Sequence, residues 1–473
     1  MATKFIREDW ENDGRWVQPP LSGCFWTHWS ETESTKAIVP EVNLTPILFL
    51  DGNTLVHVGD KRAVKELMVK LYKDGKLRTL YDRLEATGSK CEKAHISLLD
   101  QQDLPLAGYL KQLFHTYQEL AGMWWLTIML GDALQAHLLD EGIVESEQEM
   151  IGKLAPFHRT TWLEKQSEEV NAFAKCIADK FSDISPDQVN ENLIAQNKEL
   201  LADLEKHIYE FSWFGTHHWM GDEYTLETAL AQIRDVMEKD EKSKATKGIK
   251  ADDKDLWEFL ASITYWRTHC AEVTAKVVFR SRGRLTECAE KWEMSYEELR
   301  GLSSHEIEAY LDSGSNSIEL PTNYDERKQG YGCYVDDNGK ERVVTGIEYQ
   351  EIYDAVVKVD IKEGVEVKGT VASKGEPVTG VVKILIEPKD FAKFEEGDIL
   401  VAPETTPDFV PYMKKASAIV TDRGGITSHA SIVSRELGIP CVIGTTVGTQ
   451  VLKDGMKVVV NTDDGTVTIQ DEE

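Results

Sequence analysis

The segment TDRGGITSHASIVSRELGIP, residues 421–440, places a nucleophilic side chain at the start of a predicted helix. Gly424 and Gly425 let the backbone turn sharply after an apolar strand, and Thr427 suits the position that caps the helix. His429 then lies in the first turn, where unpaired backbone N–H groups and a partial positive charge attract anions. Because a neutral imidazole is a good nucleophile near pH 7, this arrangement predicts a transient phosphohistidine.

The hydroxyl groups of Thr427 and Ser428 would lie beside a phosphoryl group carried on the imidazole. A second interpretation of the same residues is a histidine that only helps to cap the helix, because many helices begin with threonine or serine and a polar neighbour. Residue types and spacing leave both interpretations open.

The elements around this segment predict an α/β domain. DILVAP, SAIVTD and CVIGT predict three strands, with one helix that begins at Thr406, Pro407 and Asp408 and another that ends at Gly438. Alternation of strands and helices favours parallel pairing with right-handed crossovers. KVVVNTDDGTVTI predicts a closing hairpin that turns at residues 464–465.

Most of the chain before about residue 365 shows the periodicity of amphipathic helices instead. Helices are predicted over residues 107–140 (as one or two helices), 163–182, 187–210, 224–239 and 254–293. In PILFLDGNTLVHVGD, residues 51–53 separate two apolar runs and predict a hairpin. Residues 239–255 are predicted to be a charge-rich loop, and residues 312–345 a turn-rich connector.

These patterns predict a multidomain protein. A mostly α-helical N-terminal substrate domain is expected over residues 1–345, followed by a linker over residues 346–365. A C-terminal α/β domain, a swivelling phosphohistidine domain by the resemblance described below, is expected over residues 366–473.

Composition narrows the class of protein. Hydrophobic residues make up 41% and charged residues 29% of the chain, which is typical of soluble globular proteins. The 53 basic and 82 acidic residues give a net charge of −29, which repels nucleic acid and anionic membranes, so neither partner is expected. The seven cysteines contain no CxxC motif, which disfavours a zinc site and a disulfide framework. Because the sequence shows no signal peptide and no membrane span, we expect a cytoplasmic protein.

The C-terminal part resembles the phosphohistidine swivelling domain of the PEP-synthase and pyruvate phosphate dikinase superfamily, where PEP is phosphoenolpyruvate. The family signature GG-x-TSHAA-x-VAR-x-x-GIP is matched by Gly424, Gly425, Thr427, Ser428, His429, Ala430, Arg435, Gly438, Ile439 and Pro440. Ser431 and Ser434 stand where the family usually has alanine, and both differences are small. The resemblance implies that His429 accepts the phosphoryl group.

Two further resemblances concern the N-terminal part. Residues 8–29 resemble the start, and residues 263–311 more loosely the tail, of the helical middle domain in rifampicin phosphotransferase-like and phenylphosphate-synthase-like proteins. The chain shows no glycine-rich phosphate loop, and the sequence after His429 is too short for a PEP-binding (β/α)8 barrel. The resemblance therefore implies a split enzyme, in which a separate ATP-grasp subunit uses ATP and Mg²⁺ to load His429, with AMP and phosphate as products.

An acidic protein that handles phosphate needs local cations. One long predicted helix carries five basic residues: Arg267, Lys276, Arg280, Arg282 and Arg284. Arg280 and Arg284 are four residues apart and are expected to share a face. Arg267, beside Tyr265 and Trp266, is the preferred candidate for catalysis. Solvated helix charges remain the alternative.

Residues 211–225, FSWFGTHHWMGDEYT, are a candidate acceptor site. A phenol is weakly acidic, so its attack on phosphohistidine needs a base near pH 7. His217 or His218 would serve as that base, oriented by Asp222 or Glu223, and the aromatic side chains would bind the ring. The alternatives are a structural histidine and a His–His metal site, for which no third ligand is evident.

The predicted function is that of a phosphotransferase subunit that receives an ATP-derived phosphoryl group on His429. The resemblance to phenylphosphate synthases implies transfer to a phenolic hydroxyl, which gives an aryl phosphate. A rifamycin-type antibiotic phosphotransferase and a split pyruvate/PEP synthase subunit are the alternatives. A phosphocarrier protein is an alternative of another class, although a carrier role would not explain the presence of the large helical domain.

Overall fold

The computed structural model describes residues 5–15, 19–50, 52–181, 184–217, 220–221, 223–238, 253–315, 317–357, 366–386, 388–405, 409–424 and 428–470. Contacts divide the chain into two compact units. The helical unit consists of Pro19–Pro46 and Asp60–Pro321. The sheet unit consists of Met1–Gln18, Ile47–Gly59 and Thr322–Glu473.

The helices and strands follow one another along the chain as two series. The helices are α1 Pro20–Thr27, α2 Glu33–Ile38, α3 Val58–Lys73, α4 Leu77–Ile96, α5 Leu106–Asp140, α6 Glu147–Leu154, α7 Trp162–Lys180, α8 Glu191–Ile194, α9 Lys198–Phe211, α10 Leu226–Glu238, α11 Lys254–Arg280, α12 Arg282–Lys291, α13 Tyr296–Arg300, α14 Ser304–Ser313, α15 Gly346–Val356, α16 Val410–Met413, α17 His429–Leu437 and α18 Gly448–Val451. The strands are β1 Trp10–Arg15, β2 Leu48–Leu50, β3 Asn53–His57, β4 Thr216–His217, β5 Met220–Gly221, β6 Gly332–Val335, β7 Glu341–Val344, β8 Glu366–Lys368, β9 Thr370–Ser373, β10 Val378–Ile384, β11 Ile399–Ala402, β12 Ala418–Thr421, β13 Cys441–Ile443, β14 Lys457–Asn461 and β15 Thr466–Ile469.

The centre of the helical unit is α11, which packs against both α4 and α5. Helix α5 is a single helix of 35 residues, and its apolar side chains lie in the core. A Cβ atom on Gly88 of α4 would lie 2.6 Å from Met123 of α5 and 2.6 Å from the Trp266 ring of α11. Only glycine therefore allows these three helices to approach so closely.

Two predicted helices are interrupted in the structure. The predicted helix over residues 254–293 is divided into α11 and α12 at Ser281, whose Oγ lies 2.7 Å from the Val277 carbonyl oxygen and 2.7 Å from the Tyr109 hydroxyl. The predicted helix over residues 187–210 becomes α8 and α9, because the side chains of Asn190 and Asn197 cap two separate helices. The predictions over residues 163–182 and 224–239 correspond to α7 and α10.

A five-stranded sheet in the order β1-β3-β2-β6-β7 belongs to the sheet unit. The predicted hairpin is confirmed, because β2 and β3 pair antiparallel with Leu50 opposite Asn53. The turn-rich connector predicted over residues 312–345 is wrong in part, since its end forms the hairpin β6–β7 and Phe49 of β2 pairs with Cys333 of β6. The sheet unit therefore includes residues 322–345, which lie on the N-terminal side of the boundary placed at residue 345 from the sequence.

The second sheet has eight strands in the order β8-β15-β14-β10-β11-β12-β13-β9. Strands β10 to β13 are parallel, and β14 and β15 form the predicted closing hairpin. Apolar clusters cover both faces, with Leu400 and Ile419 on one face and Val401 and Val420 on the other. Burial on both faces explains why these strands have uninterrupted apolar sequences.

Some predicted features lie outside the described residues. These are residues 239–252 of the charge-rich loop and residues 406–408 at the predicted start of a helix, where the structure has α16 beginning at Val410. Among the helices that the structure describes, none combines the length and the hydropathy needed to cross a bilayer.

Candidate active site at the start of helix α17

The loops that follow three parallel strands are bonded together at one edge of the eight-stranded sheet. The Asp422 N–H after β12 donates to the Ala402 carbonyl of β11 at 3.1 Å. The Thr445 N–H after β13 donates to the Thr421 carbonyl of β12 at 3.0 Å. Carboxyl ends of parallel strands are the usual place for ligand sites in α/β sheets, and the segment with His429 leaves the sheet at this edge.

Gly424 begins the turn from strand to helix. Its φ angle of +126° lies in the region that favours glycine. The predicted role of Gly424 in a sharp turn is therefore confirmed, whereas Gly425 and Thr427 lie outside the described residues.

Ser428, and not Thr427 as predicted, is the residue that caps α17. It has extended backbone angles, and its Oγ accepts a hydrogen bond from the Ser431 N–H at 3.4 Å. His429 is then the first residue of the helix. The unpaired N–H groups and the dipole of a helix start favour an anion, although the side chain of His429 itself lies outside the described part of the structure.

The rest of α17 anchors this start in the domain. Ser431 and Ser434, the two departures from the family signature, are completely buried. The helix ends at Gly438 in a left-handed conformation with φ +68°. Arg435 is exposed in the last turn of the helix, so helix geometry places it away from His429.

Asp422 is the buried acid of this edge, with 6% of its surface exposed. Burial raises the pKa of its carboxyl, and hydrogen bonds from Thr449, Thr445 and Gly448 oppose that rise. The next residue, Arg423, lies 3.2 Å from the carboxylate of Glu404. The site therefore combines a buried acid, a cation and a helix start within a few residues of the chain.

In the helical unit, the arginine that lies over Tyr265 and Trp266 is Arg159 and not Arg267. The guanidinium of Arg159 lies 3.6 Å from the ring centroid of Tyr265 and 5.6 Å from that of Trp266. Arg267 is half exposed and forms an ion pair with Asp132 at 3.8 Å. Successive residues of a helix point about 100° apart, which explains why Arg267 does not share the surroundings of its neighbours.

The expected common face of Arg280 and Arg284 is wrong, because the two residues lie on different helices. Arg280 donates to the Tyr209 carbonyl at 2.6 Å, and Arg284 donates to the Leu104 carbonyl at 2.6 Å. Because each arginine bonds to a backbone carbonyl of another part of the chain, both contribute to packing between elements.

The candidate acceptor segment, residues 211–225, contributes mainly to the core where it is described. Phe211, Trp213 and Tyr224 are buried in one apolar cluster, so these rings are not free to bind a substrate ring. His218 and the side chain of His217 lie outside the described residues. A catalytic role of His217 or His218 stays a prediction.

Sequence reasoning missed two buried histidines that bind carboxylates. His207 lies 2.7 Å from Glu169. His269 lies 2.9 Å from Glu92 of α4 and 3.2 Å from Glu272 of its own helix. The spacing of His269 and Glu272, three residues apart on a helix, is the signal in the sequence that points to the second of these contacts.

The contacts of His269 have opposite effects on its pKa. Burial opposes the charged form, but hydrogen bonds to Glu272 and Glu92 raise the pKa of His269 above its usual value. The same bond from His269 lowers the pKa of Glu92. Glu272 also accepts the backbone N–H groups of Trp162 and Leu163 at the start of α7, so the cluster joins three helices.

Comparison with known proteins identifies the C-terminal part. Residues 394–465 match the family described as PEP-utilising enzyme, mobile domain. The chain is 59% identical over 100 residues to the probable phosphoenolpyruvate synthase of Archaeoglobus fulgidus, covering 21% of this chain and 13% of that protein. It is 46% identical over 134 residues to the phosphoenolpyruvate synthase of Pyrococcus furiosus, covering 27% and 16%. The matched segment therefore spans under a fifth of the length of these relatives.

Residues 394–465 thus match a PEP-utilising mobile domain, in agreement with the family resemblance of the residues around His429. These relatives are named phosphoenolpyruvate synthases, and the expected similarity to phenylphosphate synthases gains no support from them. A chain of aconitase X (holo-form) from Thermococcus kodakaraensis aligns with 23% of this chain and all of that chain at 24% identity, but the TM-score of 0.18 carries no argument.

Proposed function

We propose that this chain is the phosphohistidine-bearing subunit of a PEP-synthase-type phosphotransferase. A ring nitrogen of His429 attacks an ATP-derived phosphoryl group, so that an N–P bond forms as the bond to the leaving oxygen breaks. One observation carries the proposal. His429 is the first residue of α17, which Ser428 caps, and it lies within the segment that matches the mobile-domain family.

Pyruvate is the acceptor that the comparisons support better than a phenol. The relatives that share the mobile domain are named for phosphoenolpyruvate. In addition, three aromatic rings of the segment expected to hold a phenol are buried in the core. In the forward direction, the enolate oxygen of pyruvate takes the phosphoryl group and the N–P bond of His429 breaks.

The remaining parts of the proposal concern partner and cofactors. Because the sequence shows no glycine-rich phosphate loop, a separate ATP-grasp subunit is proposed to bind ATP and Mg²⁺ and to phosphorylate His429. The helical unit is proposed to bind the acceptor, and the buried His269 with its carboxylate partners Glu92 and Glu272 forms a polar cluster among the packed helices of this unit.

The reverse reaction tests the acceptor without the ATP-using partner. The full chain is incubated with phosphoramidate, with PEP or with phenyl phosphate, and the modified residue is mapped by mass spectrometry. Phosphoramidate is expected to give an acid-labile, base-stable label on His429, and PEP is expected to give the same label with release of pyruvate. The His429→Asn variant is the control that should carry no label.

The three donors distinguish the parts of the proposal. A label from phosphoramidate on residues other than His429 would contradict the phosphocarrier role. Labelling of His429 by phenyl phosphate but not by PEP would show that the acceptor is a phenol after all.

A further inference from the structure

The carboxylate of Asp422 is bonded to a single loop, the one that follows β13. Its Oδ1 accepts the Thr449 N–H at 3.0 Å and the Thr445 hydroxyl at 3.0 Å. Its Oδ2 accepts the hydroxyl of Thr449 as well. These bonds attach the loop to the residue that directly follows β12, beside the bond from the Thr445 N–H to the Thr421 carbonyl of that strand.

The loop is held in a conformation that needs such an attachment. Thr446 has a φ angle of +60°, a left-handed conformation that is costly for a β-branched residue. A Cβ atom on Gly448 would lie 2.8 Å from Asp422 Oδ1, so the backbone there can approach the carboxylate only as glycine. The Thr446 N–H donates to the Asp422 carbonyl at 2.9 Å and completes the attachment.

The same loop lies close to the turn that leads to His429. A Cβ atom on Gly444 would lie 3.5 Å from the carbonyl oxygen of Gly424. Gly424 in turn lies against Ser428, the cap of α17. Asp422, the loop over residues 444–449, Gly424 and Ser428 are therefore close neighbours, up to the residue before His429.

We propose that Asp422 is a positioning residue for phosphoryl transfer: it fixes the loop over residues 444–449 and the turn at Gly424, so that α17 presents His429 at the edge of the sheet. Asp422 acts through Gly424 and Ser428 and does not itself touch the phosphoryl group. This inference rests on the proposed function of His429.

Substitution of Thr449 separates the proposed role from a general loss of stability. Thr449→Val keeps the size of the side chain and removes the hydroxyl that donates a hydrogen bond to Asp422. Thr449→Ser keeps this hydroxyl. Thr462→Val is the matched control, because Thr462 is equally a buried threonine of this domain and its hydroxyl bonds to Gly375 instead. Asp422→Asn removes the charge without a change of shape.

The experiment measures the rate constant for labelling of His429 by phosphoramidate, the half-life of the phosphohistidine at pH 7, and unfolding in urea. Thr449→Val and Asp422→Asn are expected to lower the rate constant about tenfold and to shorten the half-life, since a small misplacement of a reacting group has effects of this size. Thr449→Ser is expected to restore the wild-type rate. Thr462→Val is expected to lose stability comparable to Thr449→Val and to be labelled at the wild-type rate.

Failure of this inference and failure of the proposed function are distinguishable. If the wild-type chain is labelled on His429 and both Thr449→Val and Asp422→Asn are labelled at the same rate, Asp422 does not position the site. If slowing in Thr462→Val equals that in Thr449→Val, the effect is a loss of stability and the inference is likewise wrong. Absence of any His429 label in the wild-type chain would overturn the proposed function, and this inference with it.

Discussion

Gly424 and Ser428 are in direct contact, so that a Cβ atom on Gly424 would lie 2.7 Å from the Ser428 Oγ. This contact couples the end of β12 to the cap of α17. Gly424→Ala would force the two residues apart and would also strain a backbone with φ +126°. We expect a loss of about 1–3 kcal/mol in the free energy of unfolding and at least a tenfold slower labelling of His429 by phosphoramidate.

Gly397→Ala is the matched control for this prediction. Gly397 also has a positive φ angle, +88°, but a Cβ atom there would meet no other atom within 4 Å. The variant should therefore lose stability through backbone strain and keep the wild-type labelling rate. Equal slowing in the two variants would mean that the contact with Ser428 has no part in the site.

Removal of the cap itself gives a second prediction. Ser428→Ala deletes the acceptor for the Ser431 N–H and should cost about 1 kcal/mol of stability. Ser428→Asp should keep the cap, because aspartate is a good cap residue. Its negative charge would repel an incoming phosphoryl group, so labelling of His429 should be slower in Ser428→Asp than in Ser428→Ala. The reverse order of labelling rates would argue against an anion at this helix start.

The structure of the His429 segment was predictable because the residues that begin and end its helix are close together in the sequence. Gly424 and Gly438 have positive φ angles, and His429 lies in the first turn of the helix between them, as predicted. The predicted cap, Thr427, is one residue before the observed cap, Ser428. Serine and threonine are both good cap residues, and only the backbone angles distinguish the two positions.

Features that depend on distant contacts were not predictable. The end of the connector forms β6, which pairs with β2 far away in the sequence, and local turn residues give no sign of that partner. In the same way, Arg159 stacks on Tyr265 and pairs with Glu85 at 2.6 Å. The periodicity of α11 indicated which residues lie on a helix but could not indicate which arginine reaches its aromatic side chains.

The histidine cluster of the helical unit predicts a pH dependence of stability. The pKa of His269 is raised above its usual 6.5, so its contribution is complete below that pH and is lost as the pH rises through the folded value. The pKa of Glu92 is lowered from its usual 4.5, so its contribution is complete above that pH and is lost as the pH falls through the folded value. The contribution of the pair should therefore be greatest between these limits.

Urea unfolding at several pH values measures this effect. The substitution His269→Gln should remove the part of the pH dependence that arises above pH 6.5, whereas His158→Gln, at an exposed histidine in the same unit, should leave it. The same profile in wild-type and His269→Gln proteins would refute the role of the cluster.

The two arginines near Tyr265 and Trp266 should differ in their effects. Arg159→Ala removes a bond to Glu85 and the stacking on Tyr265, and should cost about 1–2 kcal/mol of stability. Arg267→Ala should cost at most about 0.5 kcal/mol, because its ion pair with Asp132 is half exposed. A loss of PEP-dependent labelling in Arg267→Ala, at unchanged stability, would support the catalytic role predicted for Arg267 from the sequence.

The last prediction concerns His217 and His218, the candidate bases. A base is required for either acceptor, to take the hydroxyl proton of a phenol or a methyl proton of pyruvate, and its loss typically lowers a rate about 10²–10⁴-fold. If one of these histidines is that base, it returns the proton to the enolate in the reverse direction, so His217→Ala or His218→Ala should lower PEP-dependent release of pyruvate by that factor and leave labelling by phosphoramidate unchanged. His158→Ala, at an exposed histidine paired with Glu164, should affect neither reaction. Wild-type rates with PEP in both variants would assign the base to another residue and leave residues 211–225 with the structural role that their buried aromatic side chains already have.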